Sequence, residues 1–514
     1  MNLTDRALAH RALRAAVEGG SADAIAAAAM DNIWPLYSAH FEELAAAIES
    51  LPGALLERSP VLRIVHRMTP VLARTTRPFK PLLYPGDARS MSEDELDILT
   101  LVQMVGFRLS GDVAAALVYA RRLESRISQS RIDARDRTDG PLWFYHQQIG
   151  STLLAAGDSA AALSQLATAR QLGRLAPQPD AERMALGRIA LAHAVRGSLD
   201  DADRALAELA AQRPVTAAHT ASSSTTEHTA RALIGVERMV PDAEDLLSRL
   251  EPYDSIELSW PFALLARTRA LFALQRPDEA IEAVRLSSEA HPAQHGSFAS
   301  DVIAAASIEG FWAIGARNRA ASVAEASSRV GLLSRVAIVR HALLDSRLDT
   351  AGDELRRLTR EAALGPGQRA ELTLLSAWLE HERAGAVADT TARHVFRLAT
   401  RDALRRVVAT MPVQLMHDVG EALDPIDSTA FDAATLPLVH VDVPRRPELT
   451  RAELRVLRAL SDHTTTTAIA AAFRVSPHTV KSQLTSVYRK LGCSSRGEAI
   501  RAAARLRIVA YDEA

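Results

Sequence analysis

The stretch Val475-Ser476-Pro477-His478-Thr479-Val480-Lys481-Ser482-Gln483-Leu484-Thr485-Ser486-Val487-Tyr488-Arg489-Lys490-Leu491-Gly492 reads as one amphipathic helix. Ser476 is an N-cap and Pro477 falls at the first helical position, where its missing N–H costs nothing and its fixed φ suits the helix. Val480, Leu484, Val487 and Leu491 recur at four, three and four residues and so form a single apolar seam. The opposite face carries Lys481, Ser482, Thr485, Ser486 and Arg489, short hydrogen-bonding groups mixed with cations. That is the chemistry needed to read base edges in a major groove.

A seam of this kind needs supports, and the flanking sequence supplies them. Upstream, Thr450 and Glu453 make a capping box that starts a helix, and Leu454, Leu457 and Leu460 continue its apolar stripe. After the polar turn Ser461-Asp462-His463-Thr464 comes a short helix, about Thr465 to Phe473, with Ile469, Ala470 and Phe473 inward. Downstream, Ser495 and Glu498 make a second capping box for a final helix that runs to about Leu506, with Ile500, Ala503 and Ala504 on its apolar side. Two short helices joined by a tight turn, the second with a free polar face, amount to a helix-turn-helix.

These residues resemble the LuxR/FixJ/NarL helix-turn-helix family. The matching positions are Leu449-Thr450, Arg451, Glu453, Val456-Leu457, Ile469-Ala470, Ser476, Thr479-Val480-Lys481, Lys490-Leu491 and Arg496, in the family's order over about 50 residues. The chain departs from the usual pattern at His463, Ala468, Phe473 and Gln483. The resemblance implies that Lys481, Ser482 and Thr485 contact DNA bases. It implies phosphate contacts from Thr466, Thr467, His478, Thr479, Gln483 and Arg489, which set affinity and register rather than sequence preference. It also implies homodimerisation on DNA through the last helix; the same residues read without it only cover the domain's own core. Cys493 takes a position that a small apolar residue usually fills and is read as filler rather than a redox sensor.

Before this domain the pattern changes. Residues 1–424 read as paired amphipathic helices broken by short turns. In the clearest pair Phe144 to Ala156 is followed by Gly157-Asp158 and then Ser159 to Leu172. Ile149, Leu153 and Ala156 share one face of the first helix, and Ala162, Leu163, Leu166 and Ala169 share one face of the second. Gly157 can adopt the left-handed conformation that stops a helix, and Asp158 can cap the next. Similar punctuation at Gly111-Asp112, Gly197 to Asp200 and Pro277-Asp278 is spaced by 46, 40 and 80 residues, which fits a unit of about 40 residues with one marker skipped. The whole region resembles a tetratricopeptide-like α-solenoid. Pro214 to Thr229 is polar and uncapped, and is expected to divide the solenoid into two lobes. Residues 425–447, with four prolines and no helical period, are expected to be a linker to a DNA-binding domain at 448–514.

Charge follows this division. Pro444 to Ala510 holds 13 Lys and Arg against 4 Asp and Glu, net +9, whereas the rest holds 47 against 58, net −11. A basic end on an acidic body suits a nucleic-acid partner. With only 4% aromatic residues and abundant Ala, Leu and Arg, the chain is expected to be all-α. A single cysteine excludes an intramolecular disulfide and a cysteine-based zinc site, and no apolar run reaches membrane-spanning length, so a cytoplasmic protein is expected.

Helical solenoids that end in this kind of domain resemble the large ATP-dependent LuxR regulators, but no Gly-x-x-x-x-Gly-Lys-[Ser/Thr] occurs and the ATPase part is missing. The first 120 residues lack the strand-borne aspartate of a receiver domain. No catalytic motif, cofactor motif or metal-ligand cluster stands out, and His193, His341 and His394 read as core or surface residues. The solenoid is therefore either a sensor for a small-molecule or protein effector or an assembly scaffold tethered to DNA by its last domain; Trp260, Phe262, Phe272, Phe311 and Trp312 could line a pocket in the first case, although aromatic residues in stacked helices are more often core.

Overall fold

A computed structural model describes residues 3–72, 91–129, 142–176, 180–214, 217–250, 259–291, 296–327, 331–361, 363–438, 449–463, 465–491, 493 and 495–505. Every regular element among the described residues is a helix. The chain divides into two compact units, one of residues 1–411 and 415–440, the other of 412–414 and 441–514.

The larger unit is a succession of helical hairpins. Leu142–Ala155 pairs with Ser159–Leu175, Ala181–Val195 with Leu199–Ala210, Trp260–Ala273 with Pro277–Ala290, Phe298–Ala313 with Arg317–Ser327, and Leu332–Leu344 with Leu348–Leu358. Along the row Leu142–Ala155, Ala181–Val195, Ala217–Glu237, Trp260–Ala273, Phe298–Ala313 and Leu332–Leu344 each helix packs on the next, so these units cover their apolar faces with neighbours. Ile149, Ala162, Leu166 and Ala169 are all buried, as the stripe pattern requires. An N-terminal group of short helices has its own core around Leu13, Leu36, Ile48 and Leu62.

Each hairpin turns through one residue at positive φ. Gly111, Gly157 and Gly197 do so at φ 84, 85 and 70, and Asp158 then caps the next helix by accepting from the Ala161 N–H at 3.0 Å. Non-glycine residues take the same role at Met239 (φ 52), Gln275 (φ 60) and Ser346 (φ 56). Met239 is the missing marker in the 80-residue gap. The cause is a shared closing hydrogen bond from the residue after the turn to a carbonyl five positions back: Asp158 to Leu153, Ser198 to His193, Val240 to Gly235, Arg276 to Leu271 and Arg347 to Ala342. This satisfies otherwise orphaned carbonyls at the helix end and holds the left-handed residue even where its side chain disfavours it.

Two expectations about breaks are corrected. The polar stretch from 214 to 229 is not a lobe boundary: Ala217–Glu237 is one long helix. Among the described residues its buried polar groups Ser223, Glu227 and Thr229 are satisfied: the Ser223 hydroxyl donates to Glu227 at 2.9 Å, Glu227 pairs with Arg183 at 3.1 Å and the Thr229 hydroxyl donates to the Thr225 carbonyl at 2.7 Å. The expected linker begins instead with a helix, Pro425–Thr435, capped by the Asp424 carboxylate and anchored by the fully buried Phe431. The remainder of that expected linker, 439–447, lies outside the described residues.

The unit also returns on itself. Helix Ala217–Glu237 packs against the segment from Asp402 to Ala409, and the Gly367 N–H donates to the Arg196 carbonyl at 3.1 Å. A Cβ on Gly197 would stand 2.6 Å from the Gly367 Cα, so glycine is required for this approach.

Candidate nucleic-acid interface

Among the described residues from 449 onward four helices form, α1 (Arg451–Asp462), α2 (Thr466–Phe473), α3 (Pro477–Leu491) and α4 (Arg496–Arg505). Local sequence sets each start. The Thr450 hydroxyl accepts from the Glu453 N–H while the Glu453 carboxylate accepts from the Thr450 N–H, completing the capping box on α1. Thr465 caps α2 through the Ala468 N–H at 3.1 Å. Ser476 caps α3 through the Thr479 N–H at 3.1 Å, and Ser495 caps α4 through the Glu498 N–H at 3.2 Å. Arg474 ends α2 in the left-handed conformation and so turns the chain sharply into α3.

Val480, Leu484, Val487 and Leu491 are all buried. They pack with Val456, Leu457, Leu460, Ile469, Ala470 and Ala499 in one small core, which is why the polar face of α3 has to point outward. Phe473, a departure from the family pattern, is half-buried and lies under the Arg455 guanidinium at 4.7 Å. Arg496 donates to the carbonyls of Leu460 and His463, fastening the start of α4 to the end of α1.

The predicted contact residues fall as follows. Lys481, Ser482 and Thr485 are exposed, as are His478, Thr479 and Arg489, and Gln483 is half-buried at the edge of the face. Thr466 and Thr467 are exposed in the first turn of α2, where backbone N–H groups and the helix dipole favour an anion. The Thr479 hydroxyl lies 2.8 Å from the Ser476 hydroxyl, and the Thr485 hydroxyl donates to the Lys481 carbonyl at 3.0 Å, leaving the Thr485 oxygen able to accept.

Ser486 is a correction. Its hydroxyl donates to the Glu453 carboxylate at 2.7 Å, so it belongs to the α1–α3 join rather than to the free face. Glu453 is the hub that sequence reading missed. Besides its capping role it accepts from the Lys490 ammonium at 2.7 Å, and the hydrogen bonds from Lys490, Ser486 and the Thr450 backbone hold its carboxyl down to about 2. Two of these partners lie 33 and 37 residues away in sequence, so only the capping half had a local signal. Lys490 is thereby spent on structure, leaving Lys481 and Arg489 as the cations on the exposed face of α3. Cys493 is half-buried against the core, and burial followed by the nearby Glu498 charge pushes its thiol up, against a reactive role.

Residues 447–503 match the family described as bacterial regulatory proteins, luxR family. The chain is also 45% identical over 65 residues to the transcriptional regulatory protein YdfI of Bacillus subtilis (strain 168), a match covering 13% of this chain and 30% of that protein. It thus spans less than a third of the length of that relative. No solved structure matches the chain. The C-terminal unit is a LuxR-type helix-turn-helix domain.

Proposed function

We propose that this protein is a transcriptional regulator that binds double-stranded DNA by seating α3 in the major groove. The observation that carries this reading is the division of α3 into a buried apolar seam and an exposed face bearing Lys481, Ser482, Thr485 and Arg489. On this reading Lys481, Ser482 and Thr485 meet base edges, while Thr466, Thr467, His478, Thr479, Gln483 and Arg489 meet phosphates. Two copies pair through α4 on a partly palindromic site; the competing reading is that Ile500, half-buried against the domain's own core, serves that core alone.

The helical-hairpin unit is the sensor, holding a small-molecule or protein effector and thereby setting DNA affinity; an assembly scaffold is the competing role. Of the aromatic residues weighed as lining, Trp260 and Phe262 are core instead, Phe262 stacking on Phe298 at 4.5 Å. Among the described residues no helix is long and apolar enough to cross a membrane, and the regulatory reading places the protein in the cytoplasm.

The test is selection of duplexes from a random pool by the full chain, followed by anisotropy titrations on the enriched site. Lys481→Ala is expected to lose roughly 1 to 3 kcal/mol of discrimination between the site and its mismatches. Arg489→Ala is expected to weaken every duplex alike and lower the salt slope by about 1. Failure to enrich any sequence, with affinity indifferent to both substitutions, would refute the proposal.

A further inference from the structure

In the N-terminal group of short helices, the residue that starts helix Phe41–Glu49 is His40, and its side chain makes no capping hydrogen bond. Helix starts favour Ser, Thr, Asp or Asn, whose short side-chain oxygens reach the free N–H groups. The His40 ring instead lies flat against that of His10, on helix Leu3–Glu18, with ring centroids 3.9 Å apart and planes 7° from parallel. Both rings present a nitrogen to Glu43, in the first turn of helix Phe41–Glu49. His10 Nε2 donates to one carboxylate oxygen at 2.6 Å, and His40 Nδ1 stands 3.7 Å from the other. That second distance is beyond a hydrogen bond.

Two imidazole nitrogens and one carboxylate oxygen thus lie within 4.8 Å of one another. A zinc-sized ion bonded at about 2.1 Å in tetrahedral geometry holds its ligands about 3.4 Å apart. Ligation therefore opens the His10–Glu43 contact, draws His40 in and turns the parallel rings toward each other. The side chains of His10, His40 and Glu43 are 23%, 26% and 50% exposed, which gives an ion a way in and leaves water as its fourth ligand. The His10 hydrogen bond outweighs burial and, with the charges of His10, His40 and Arg14, holds the Glu43 carboxyl below its usual range. Arg14, the cation that would oppose an ion here, is paired with Glu18 at 3.5 Å. Two nitrogens and one oxygen suit zinc, cobalt or nickel better than magnesium or calcium, which take oxygen ligands. Among the described residues the other converging group, His417, Asp418 and Glu421, comes from one turn of helix Val413–Ala422, and its Asp418 is held by the buried His381 at 2.7 Å.

We propose that His10, His40 and Glu43 form a binding site for one divalent transition-metal ion of the zinc class. The site depends on neither the DNA-binding nor the sensor reading. His10 belongs to one helix and His40 with Glu43 to the start of another, so a bound ion cross-links helix Leu3–Glu18 to helix Phe41–Glu49 and stabilises the core around Leu13, Leu36 and Ile48. His10 stands 33 residues before Glu43, with no metal-ligand spacing in the sequence to mark the group.

The experiment is titration of the untagged full chain, stripped of metal by a chelator, with Co²⁺, followed by visible absorption and then by displacement with Zn²⁺. One Co²⁺ per chain is expected to bind with the visible band of nitrogen and oxygen coordination, Zn²⁺ to bleach that band, and a large excess of Mg²⁺ to leave it. His10→Gln and His40→Gln are each expected to weaken binding at least about tenfold, whereas His417→Gln leaves it unchanged. Zn²⁺ is also expected to slow hydrogen exchange in peptides from both helices. Should either histidine variant lower the melting temperature of the metal-free protein, Glu43→Gln, at a half-exposed side chain of the same size, carries the test with the same loss expected. No saturable binding, binding indifferent to all three substitutions, or binding lost with His417→Gln overturns the site. Binding without slower exchange in helix Leu3–Glu18 overturns the cross-link.

Discussion

Replacing Glu453 by Gln removes the charge that joins α1 to α3 while keeping the shape. The carboxylate receives the Thr450 N–H, the Ser486 hydroxyl and the Lys490 ammonium, each at 2.7 Å. The gap between an ordinary 4.5 and about 2 corresponds to roughly 3 kcal/mol, and screening near the surface of a small domain reduces this to about 2 kcal/mol. A carboxyl depressed in the folded state contributes fully above its unfolded pKa and loses that contribution as pH falls towards the folded value. The Glu453 contribution is thus complete at pH 7, declines below about 4.5 and is largely gone near 2. Hydrogen exchange by mass spectrometry on the full chain reads it locally: at pH 7, peptides from α1 and α3 of Glu453→Gln are expected to exchange about 30-fold faster, the equivalent of about 2 kcal/mol. The difference from the unsubstituted protein is expected to shrink on acidification below 4.5. Exchange within threefold of the unsubstituted protein at pH 7 would refute the assignment of Glu453 as the join.

Arg406 bonds the buried Glu237 at 2.8 Å; Arg406→Met leaves Glu237 with Arg269 as its remaining bonded cation and is expected to cost about 3 to 5 kcal/mol, lowering the calorimetric melting temperature of the larger unit, and an unchanged transition would contradict this pairing. Met239→Gly relieves a side chain held at positive φ and is expected to stabilise by about 0.5 to 1 kcal/mol, seen as a higher melting temperature, despite the entropy that glycine adds to the unfolded chain. Alkylation of Cys493 by iodoacetamide at pH 7 is expected to run at least about tenfold slower in the folded protein than in denaturant, because burial disfavours its thiolate; equal rates would show an accessible, reactive thiol.

The amino-acid sequence alone determined the C-terminal domain nearly completely. Its information is short-range: Ser476 and Pro477 start α3, the spacing of Val480, Leu484, Val487 and Leu491 fixes which side is buried, and Thr450 with Glu453 starts α1, all within windows of a turn or four. The same local logic gave the hairpins at Gly111, Gly157 and Gly197, where glycine advertises a left-handed turn. Tertiary structure decided the rest. Met239, Gln275 and Ser346 turn the chain without any residue preference to announce it, because a closing hydrogen bond and the packing of two helices outweigh the cost of positive φ. The run from 217 to 229 looks too polar for a helix until Arg183, 44 residues earlier, arrives to satisfy Glu227. Pro425 to Thr435 looks like a linker until Phe431 finds a core. Glu453 as a hub and the Arg406–Glu237 closure join groups 33 to 169 residues apart, a separation at which burial and charge pairing act only once the intervening chain has folded.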